Sequence, residues 1–415
     1  MKLGGIHQTS LALILSGGLA FATSQPSNAA TMYSATELDT SGMTNVNVTG
    51  INNLGQVVGN VRSGSRQSGW ENRAFRTAPN SPINLATDFI DVSPETDVFA
   101  EDINDLGQVS GYFSTSPQTS NFVAFRTAAN SQFNQDTDII YGNGLSIGQA
   151  INNSGQVAVV QLLPRIGVRS FRTNPNSSVN EATDYLGNLQ GSLDVDSVFN
   201  DRTSTFVQDI NQLGQVVGYS DNASGQYRAF RTAPNSAINP ATDDLGTLGG
   251  FESRATAINN LGQVVGSSTT ADGQTRAFRT APNSAINPLT DDLGTLGGRE
   301  SIATDINDSG QVVGYITPAN NRERAFLYDN GQMFDLNSLI DPNLGVTLNF
   351  AWGINNRGQI IAEALVLDDS ASSFRTRAFL LTPIATAAVP EPSFGLGLLA
   401  FAGMGGSLIG KRKQL

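Results

Sequence analysis

The segment Ala257-Ile-Asn-Asn-Leu-Gly-Gln-Val-Val-Gly266 decides how the rest of the chain is read. Its core, Ile-Asn-x-x-Gly-Gln, occurs seven times, beginning at Ile51, Ile103, Ile151, Ile210, Ile258, Ile306 and Ile354. Successive copies start 52, 48, 59, 48, 48 and 48 residues apart, the self-similarity of a repeat protein. A second phrase keeps the same phase: Arg73-Ala-Phe-Arg, Val123-Ala-Phe-Arg, Arg169-Ser-Phe-Arg, Arg228-Ala-Phe-Arg, Arg276-Ala-Phe-Arg, Arg324-Ala-Phe-Leu and Arg377-Ala-Phe-Leu.

Within the fifth copy, Ala255 to Ile258 reads as a strand, Asn259 to Gly262 as a turn and Gln263 to Ser267 as the return strand. Asn and Gly tolerate positive φ, which a tight hairpin loop requires. Arg276 to Thr280 reads as a third strand. After a polar loop, Asp292 to Leu296 reads as a fourth. In the sixth copy the loop gives way to an apolar–turn–apolar hairpin from Phe326 to Phe334, with Asn330-Gly331 at its tip. Four short antiparallel strands per roughly 48 residues predict an all-β, seven-bladed β-propeller over 30–383. The last copy lacks a fourth strand, and the stretch Thr36-Glu-Leu-Asp-Thr40 supplies one. Leu38 precedes Ile51 by thirteen residues, the interval that separates Ile90 from Ile103, Leu245 from Ile258 and Leu293 from Ile306. This N-terminal strand is expected to complete the last blade, close the ring and remove its free edges. An open β-solenoid is the alternative, and it leaves that strand unexplained.

The paired phrases resemble the HAF family of bacterial extracellular repeats. The likeness is carried by Asp244-Leu-Gly-Thr-Leu-Gly-Gly250, Ala257 to Gly266 and Arg276-Ala-Phe278, and it runs from about Leu38 to Leu381. The third copy departs from the pattern at Val157-Ala-Val159 and Ser170-Phe171, and residues 196–207 are an insertion. Irregularity is therefore expected in the third and fourth units. The resemblance brings no activity to particular residues.

Composition narrows the chemistry. There is no cysteine, the one histidine is His7, and the lysines are Lys2, Lys411 and Lys413. The body thus lacks the commonest general bases, zinc ligands and Schiff-base nucleophiles. Between residues 30 and 388, 35 acidic residues stand against 20 arginines. Such a surface does not suit nucleic acid or anionic membranes, which need clustered positive charge.

Both ends read as addresses. Residues 1–29 have the form of a secretory signal: Lys2, an apolar stretch from Leu11 to Ala22, and small residues before a cleavage point after Ala29. Residues 384–388 form a spacer. In 389–415, Val389, Pro390, Glu391 and Pro392 precede an apolar segment at 394–409 and the basic Lys411, Arg412 and Lys413. Sixteen residues as a helix span about 24 Å, short but workable for a bilayer core. The basic cluster is expected on the cytoplasmic side. This order resembles the PEP-CTERM sorting signal of Gram-negative bacteria, including cyanobacteria. The resemblance implies an exosortase-type sorting enzyme as partner and release to the cell surface or extracellular matrix. A permanent single-span anchor is the plainer alternative.

Each candidate site also has a simpler structural role. Thr-Asp pairs precede the fourth strand at Asp88, Asp138, Asp184, Asp243 and Asp291; they suit Ca²⁺ or a sugar, or else a polar turn. Asp102-x-Asn104-Asp105-x-Gly107 and Asp305-x-Asn307-Asp308-x-Gly310 faintly echo calcium loops but coincide with the hairpin turn. The repeated Phe75, Phe125, Phe171, Phe230, Phe278, Phe326 and Phe379 are expected in the core between units. Arginines such as Arg228 and Arg231 are expected to lay their stems over apolar surface. No catalytic, cofactor or metal residue is assigned, although Ca²⁺ is compatible with the acidic surface. The sequence therefore predicts a secreted, non-enzymatic surface or matrix protein with a binding or structural role and extracellular polysaccharide as a partner. Matrix hydrolase or lyase and calcium-dependent adhesin are the alternatives.

Overall fold

The computed structural model describes residues 31–39, 45–65, 69–90, 97–114, 121–163, 167–191, 204–368 and 373–384. The cleavage point at Ala29, the sorting motif from Val389 to Pro392, the apolar 394–409 and the basic Lys411 to Lys413 lie outside the described residues. Among those described, no helix is long and apolar enough to cross a membrane.

The protein is all-β, built from seven small antiparallel sheets among the described residues. Each repeat contributes one sheet. Its first strand ends at the Ile of the phrase, as in Gly249–Ile258, and its second starts just after Gln, as in Val264–Thr270. The third carries the Ala-Phe phrase, as in Thr275–Arg279. Cores lie between neighbouring sheets. One joins Val58 and Ala74 of the first unit to Ile103, Phe113 and Phe125 of the second. All seven repeated phenylalanines are at most 1% exposed, so they are core and no stacking platform.

The first strands contact one another in order around the molecule, and the strand of the last unit, Leu348–Ile354, contacts that of the first, Val46–Ile51. The N-terminal strand Tyr33–Glu37 pairs antiparallel with Ser373–Pro383 of the last unit. Arg377 clamps the Glu37 carboxylate from two nitrogens at 2.6 and 2.5 Å. Leu38 is wholly buried beside Phe75 and Ile83 of the first unit and Leu380 of the last. Its carbonyl accepts from the Ile83 amide, as the Ile90 carbonyl accepts from Phe133 and the Leu245 carbonyl from Ile286. The N-terminal segment thus occupies the place that the repeat phase assigns to it.

Two expectations are corrected. In the first, third, fourth and fifth units the anticipated fourth strand is a single bridge, such as Phe278 to Asp292. In the fourth and fifth units the cause is local: the Asp244 and Asp292 side chains accept from the Gly246 and Gly294 amides, and these glycines turn the chain away at φ +75° and +83°. Among the described residues, ladders form only at Ile139–Tyr141, at Gln332–Asp335 and at the N-terminal strand. Nor is the third unit irregular at Val157-Ala-Val159. In five other units a glycine here sits against the first strand, so close that a Cβ on Gly266 would lie 2.0 Å from the Arg254 carbonyl oxygen. In the third unit Val159 faces Gly148, so the glycine has moved to the opposing strand. Of the insertion, residues 196–203 lie outside the described residues.

The turn glycines carry a double constraint. Gly262 has φ +74°, and a Cβ there would stand 2.2 Å from Asn283 Oδ1. Gly273 has φ +80° with open space around it. Gly262→Ala should therefore lose about 3 kcal/mol or more, and Gly273→Ala about 1 kcal/mol, because only the first adds a clash to the strain. Denaturant unfolding of both variants checks this; equal losses would contradict it.

Candidate functional site

The site begins with the asparagine of the repeated phrase. Asn259 Oδ1 accepts from the Leu261 and Gln263 amides and so closes its own turn. Its Nδ2 donates to Gln263 Oε1 at 2.9 Å and to the Asn307 carbonyl of the next repeat at 3.0 Å. The same inter-repeat bond links Asn52 to Asn104, Asn104 to Asn152, Asn152 to Asn211, Asn211 to Asn259 and Asn307 to Asn355. Asn355 then donates to the Asn52 carbonyl at 2.9 Å, and the cycle returns to its start. A parallel cycle passes through the next residue. Backbone amides of Asn53, Asp105, Asn153, Gln212, Asn260, Asp308 and Asn356 each donate to the following side chain, the last back to Asn53. The arginine expected to cover apolar surface does something more specific: Arg231 donates to the Gly262 and Ser284 carbonyls of the next repeat. One terminal nitrogen of the guanidinium, with its two N–H groups, serves both carbonyls.

Next to these cycles lies a cavity of about 520 Å³, walled mainly by first-strand residues from all seven units. A β-bulge in each first strand builds its wall. The pairing skips one residue, two places before the phrase's Ile: Thr49, Glu101, Gln149, Gln208, Thr256, Thr304 and Trp352. An unpaired bulge residue is free to re-aim its side chain, and all seven line the cavity.

The residue just before the phrase alternates around the cycle: Gly50, Asp102, Ala150, Asp209, Ala257, Asp305 and Gly353. Asp102 accepts from its neighbour Ile103 at 2.7 Å and from Ile151 of the next unit at 2.9 Å. Asp209 and Asp305 repeat this pattern with Ile258 and Ile354. Each carboxylate is thus a clip between two units. Burial, reinforced by the charge of Asp209, pushes the Asp102 carboxyl up to about 7. Burial also raises Asp209 to about 6 and holds Asp305 well above the usual carboxylate range. Burial beside Asp102 raises Glu101 to about 7. Glu363 is raised by burial against hydrogen bonds from Trp352 and the Val48 amide.

The sequence-stated candidates are distributed differently. Each Asp of the Thr-Asp pairs is spent locally: Asp291 accepts from the Asn287 amide at 2.8 Å and from the Thr290 hydroxyl. Asp102 and Asp105 of the calcium-like loop serve separate bonds, and among the described residues no group of three His, Cys, Asp or Glu could hold a metal ion. The cavity residues Glu101, Gln149, Gln208 and Asp209 were not singled out from sequence. Stacking the seven copies on Ile would have displayed the Asp alternation, since the positions differ in charge where the phrase itself does not.

The family described as protein of unknown function, DUF3466, matches residues 252–378. No curated protein matches the chain. Among solved structures, a polysaccharide lyase, Uly1, is similar with a TM-score of 0.43 and 9% identity, over 82% of this chain and 90% of that one. A glucose dehydrogenase scores 0.34 at 9% identity, over 85% and 99% of the two chains. The BP39L lectin from Burkholderia pseudomallei scores 0.33 at 10% identity, over 83% and 97%.

Raised carboxyls make stability depend on pH with a definite sign. The folded protein keeps protons on Asp102, Asp209, Asp305 and Glu101 where the unfolded chain has released them. Stability is then fullest below the ordinary carboxylate pKa and falls as pH rises toward about 7. Within its window each carboxyl contributes at most about 1.4 kcal/mol per pH unit. Denaturant unfolding should find the protein more stable at pH 5 than at pH 7.5, with a smaller difference in Asp102→Asn. An unchanged slope in that variant would show that Asp102 does not titrate in this range.

Proposed function

We propose that the seven sheets are the blades of a β-propeller, exported from the cell and held at its surface or in the extracellular matrix, where it binds or scaffolds and catalyses no reaction. The observation that carries the ring is the asparagine cycle, which passes through seven repeats and ends on the residue where it began. A propeller of seven antiparallel blades, sealed by the N-terminal strand beside the last blade, accounts for that cycle. An open solenoid does not, because its terminal repeats would have no reason to bond.

The non-enzymatic reading rests on how the cavity acids are engaged. A two-carboxylate hydrolase needs an acid and a second carboxylate both available to substrate. Asp102, Asp209 and Asp305 give both oxygens to backbone amides, and Glu363 accepts from Val48. That leaves Glu101 without a second such group in the cavity wall. The address rests on sequence. The signal-like 1–29, with cleavage after Ala29, is the export signal. Val389, Pro390, Glu391 and Pro392, the span 394–409 and Lys411, Arg412 and Lys413 form a PEP-CTERM-type signal read by an exosortase-type enzyme. The resemblance to the HAF repeats fits the same extracellular setting.

Removing residues 30–40 deletes the strand that joins the last unit to the first. The truncated protein should unfold at a clearly lower temperature than the intact one; an unchanged single transition would remove this strand from ring closure. The address is tested apart from the fold. In the host cell, replacing Pro390, Glu391 and Pro392 with alanine should leave full-length protein accumulating in the membrane. Wild-type surface protein that still carries Lys411 to Lys413 would instead establish a permanent anchor.

A further inference from the structure

The seven bulge positions are equivalent in backbone and unequal in what their side chains do. Thr49, Thr256 and Thr304 turn back into the protein and donate to the Ala100, Ala303 and Ala351 carbonyls of the next repeat. Glu101, Gln149 and Gln208 stand at the same position in three consecutive repeats and line the cavity, and none of them makes a hydrogen bond among the described residues. All three are half-buried, so their polar ends face the cavity and not a protein partner. Three such groups, in consecutive repeats and facing one space, form a polar wall open to a ligand.

We propose that the axial cavity binds an ammonium-bearing saccharide, with Glu101 receiving the ammonium and Gln149 and Gln208 the hydroxyl groups. Among the described residues no arginine or lysine lines the cavity, while Glu101, Asp102, Asp209, Asp305 and Glu363 all do, so a cation is the complementary charge. A bare metal ion fits poorly, because among the described residues no three such ligands converge. About 520 Å³ is the space of a small organic ligand. The two glutamine amides each offer donors and an acceptor, the pairing that sugar hydroxyls require. Trp352, backed by Phe350 at 5.4 Å with rings 18° apart, supplies a half-buried aromatic wall in the same cavity for the apolar face of a ring. The inference deepens the binding role proposed above and is independent of sorting, since it is read in solution.

The probes are glucosamine, glucose, N-acetylglucosamine and spermidine, titrated calorimetrically into the purified full-length chain. Glucosamine should bind at least about tenfold more tightly than glucose or N-acetylglucosamine, as a charge-assisted bond to a carboxylate implies. Glu101→Gln should abolish that preference, and Gln149→Ala and Gln208→Ala should weaken glucosamine, with thermal melts checking that each variant folds. Around Glu101 the ionisable groups are Asp102 on its own strand, Tyr112 on the next, and Asp209, Asp305 and Glu363 elsewhere. An ammonium favours their charged forms, so binding near pH 6.5 should release protons, seen as a buffer-dependent heat. No binding, equal binding of the three sugars, or a preference that survives Glu101→Gln would overturn the proposal. Spermidine matching glucosamine and indifferent to both glutamine variants would overturn the saccharide assignment.

Discussion

The structure depends on one side chain used seven times. An asparagine carboxamide offers an acceptor and two donors, and each copy spends all of them. The oxygen closes its own hairpin turn, one N–H holds the glutamine that follows, and the other reaches the carbonyl of the next repeat. All seven are at most 4% exposed, where a lost partner would leave a buried polar group unsatisfied. Folding of one turn therefore presents the carbonyl that the preceding repeat needs. Local geometry and assembly of the array become one requirement, which explains why the phrase is written so uniformly. The glycine in it is fixed by positive φ in every copy, and in the first five repeats also because a Cβ would collide with the asparagine that follows the third strand.

Variation along the cavity wall is confined to what the turn leaves free. The bulge ahead of each phrase swings one side chain into the axis without disturbing the core residues on either side. At that position threonine serves the scaffold, while Glu101, Gln149 and Gln208 do not. The alternating aspartates hold an intermediate place: they tie neighbouring units together through isoleucine amides and also set the charge of the cavity. Their raised carboxyls follow from enclosure with like charges and without a cation.

Much of this architecture was legible in the sequence because repetition multiplies weak signals. Period, strand order, hairpin turn and the place of Leu38 could all be read from spacing alone. The fourth strand was overread: Asp-Leu-Gly-Thr-Leu alternates like a strand, but its aspartate and glycine make a turn after one bridge. The role of Arg231 was missed because its partners are carbonyls, which have no signature in sequence. The cavity wall was hidden for a related reason. A bulge shifts the inward and outward alternation by one residue, so Glu101 and Gln149 read as ordinary strand positions until the pairing is known. The Thr-Asp pairs drew notice because they repeat, yet repetition there reflects turn geometry.

Closure of the seven repeats is the central claim, and a distance measures it most directly. The chain has no cysteine, so spin labels can be placed at will on the exposed third residue of the turn. One pair would sit at Leu54 and Arg357, in the first and last repeats, and a control pair at Leu213 and Leu261, in adjacent ones. A closed ring gives the two pairs the same separation by pulsed electron paramagnetic resonance. A Leu54–Arg357 separation several times that of the control pair would show an open array and would contradict the account.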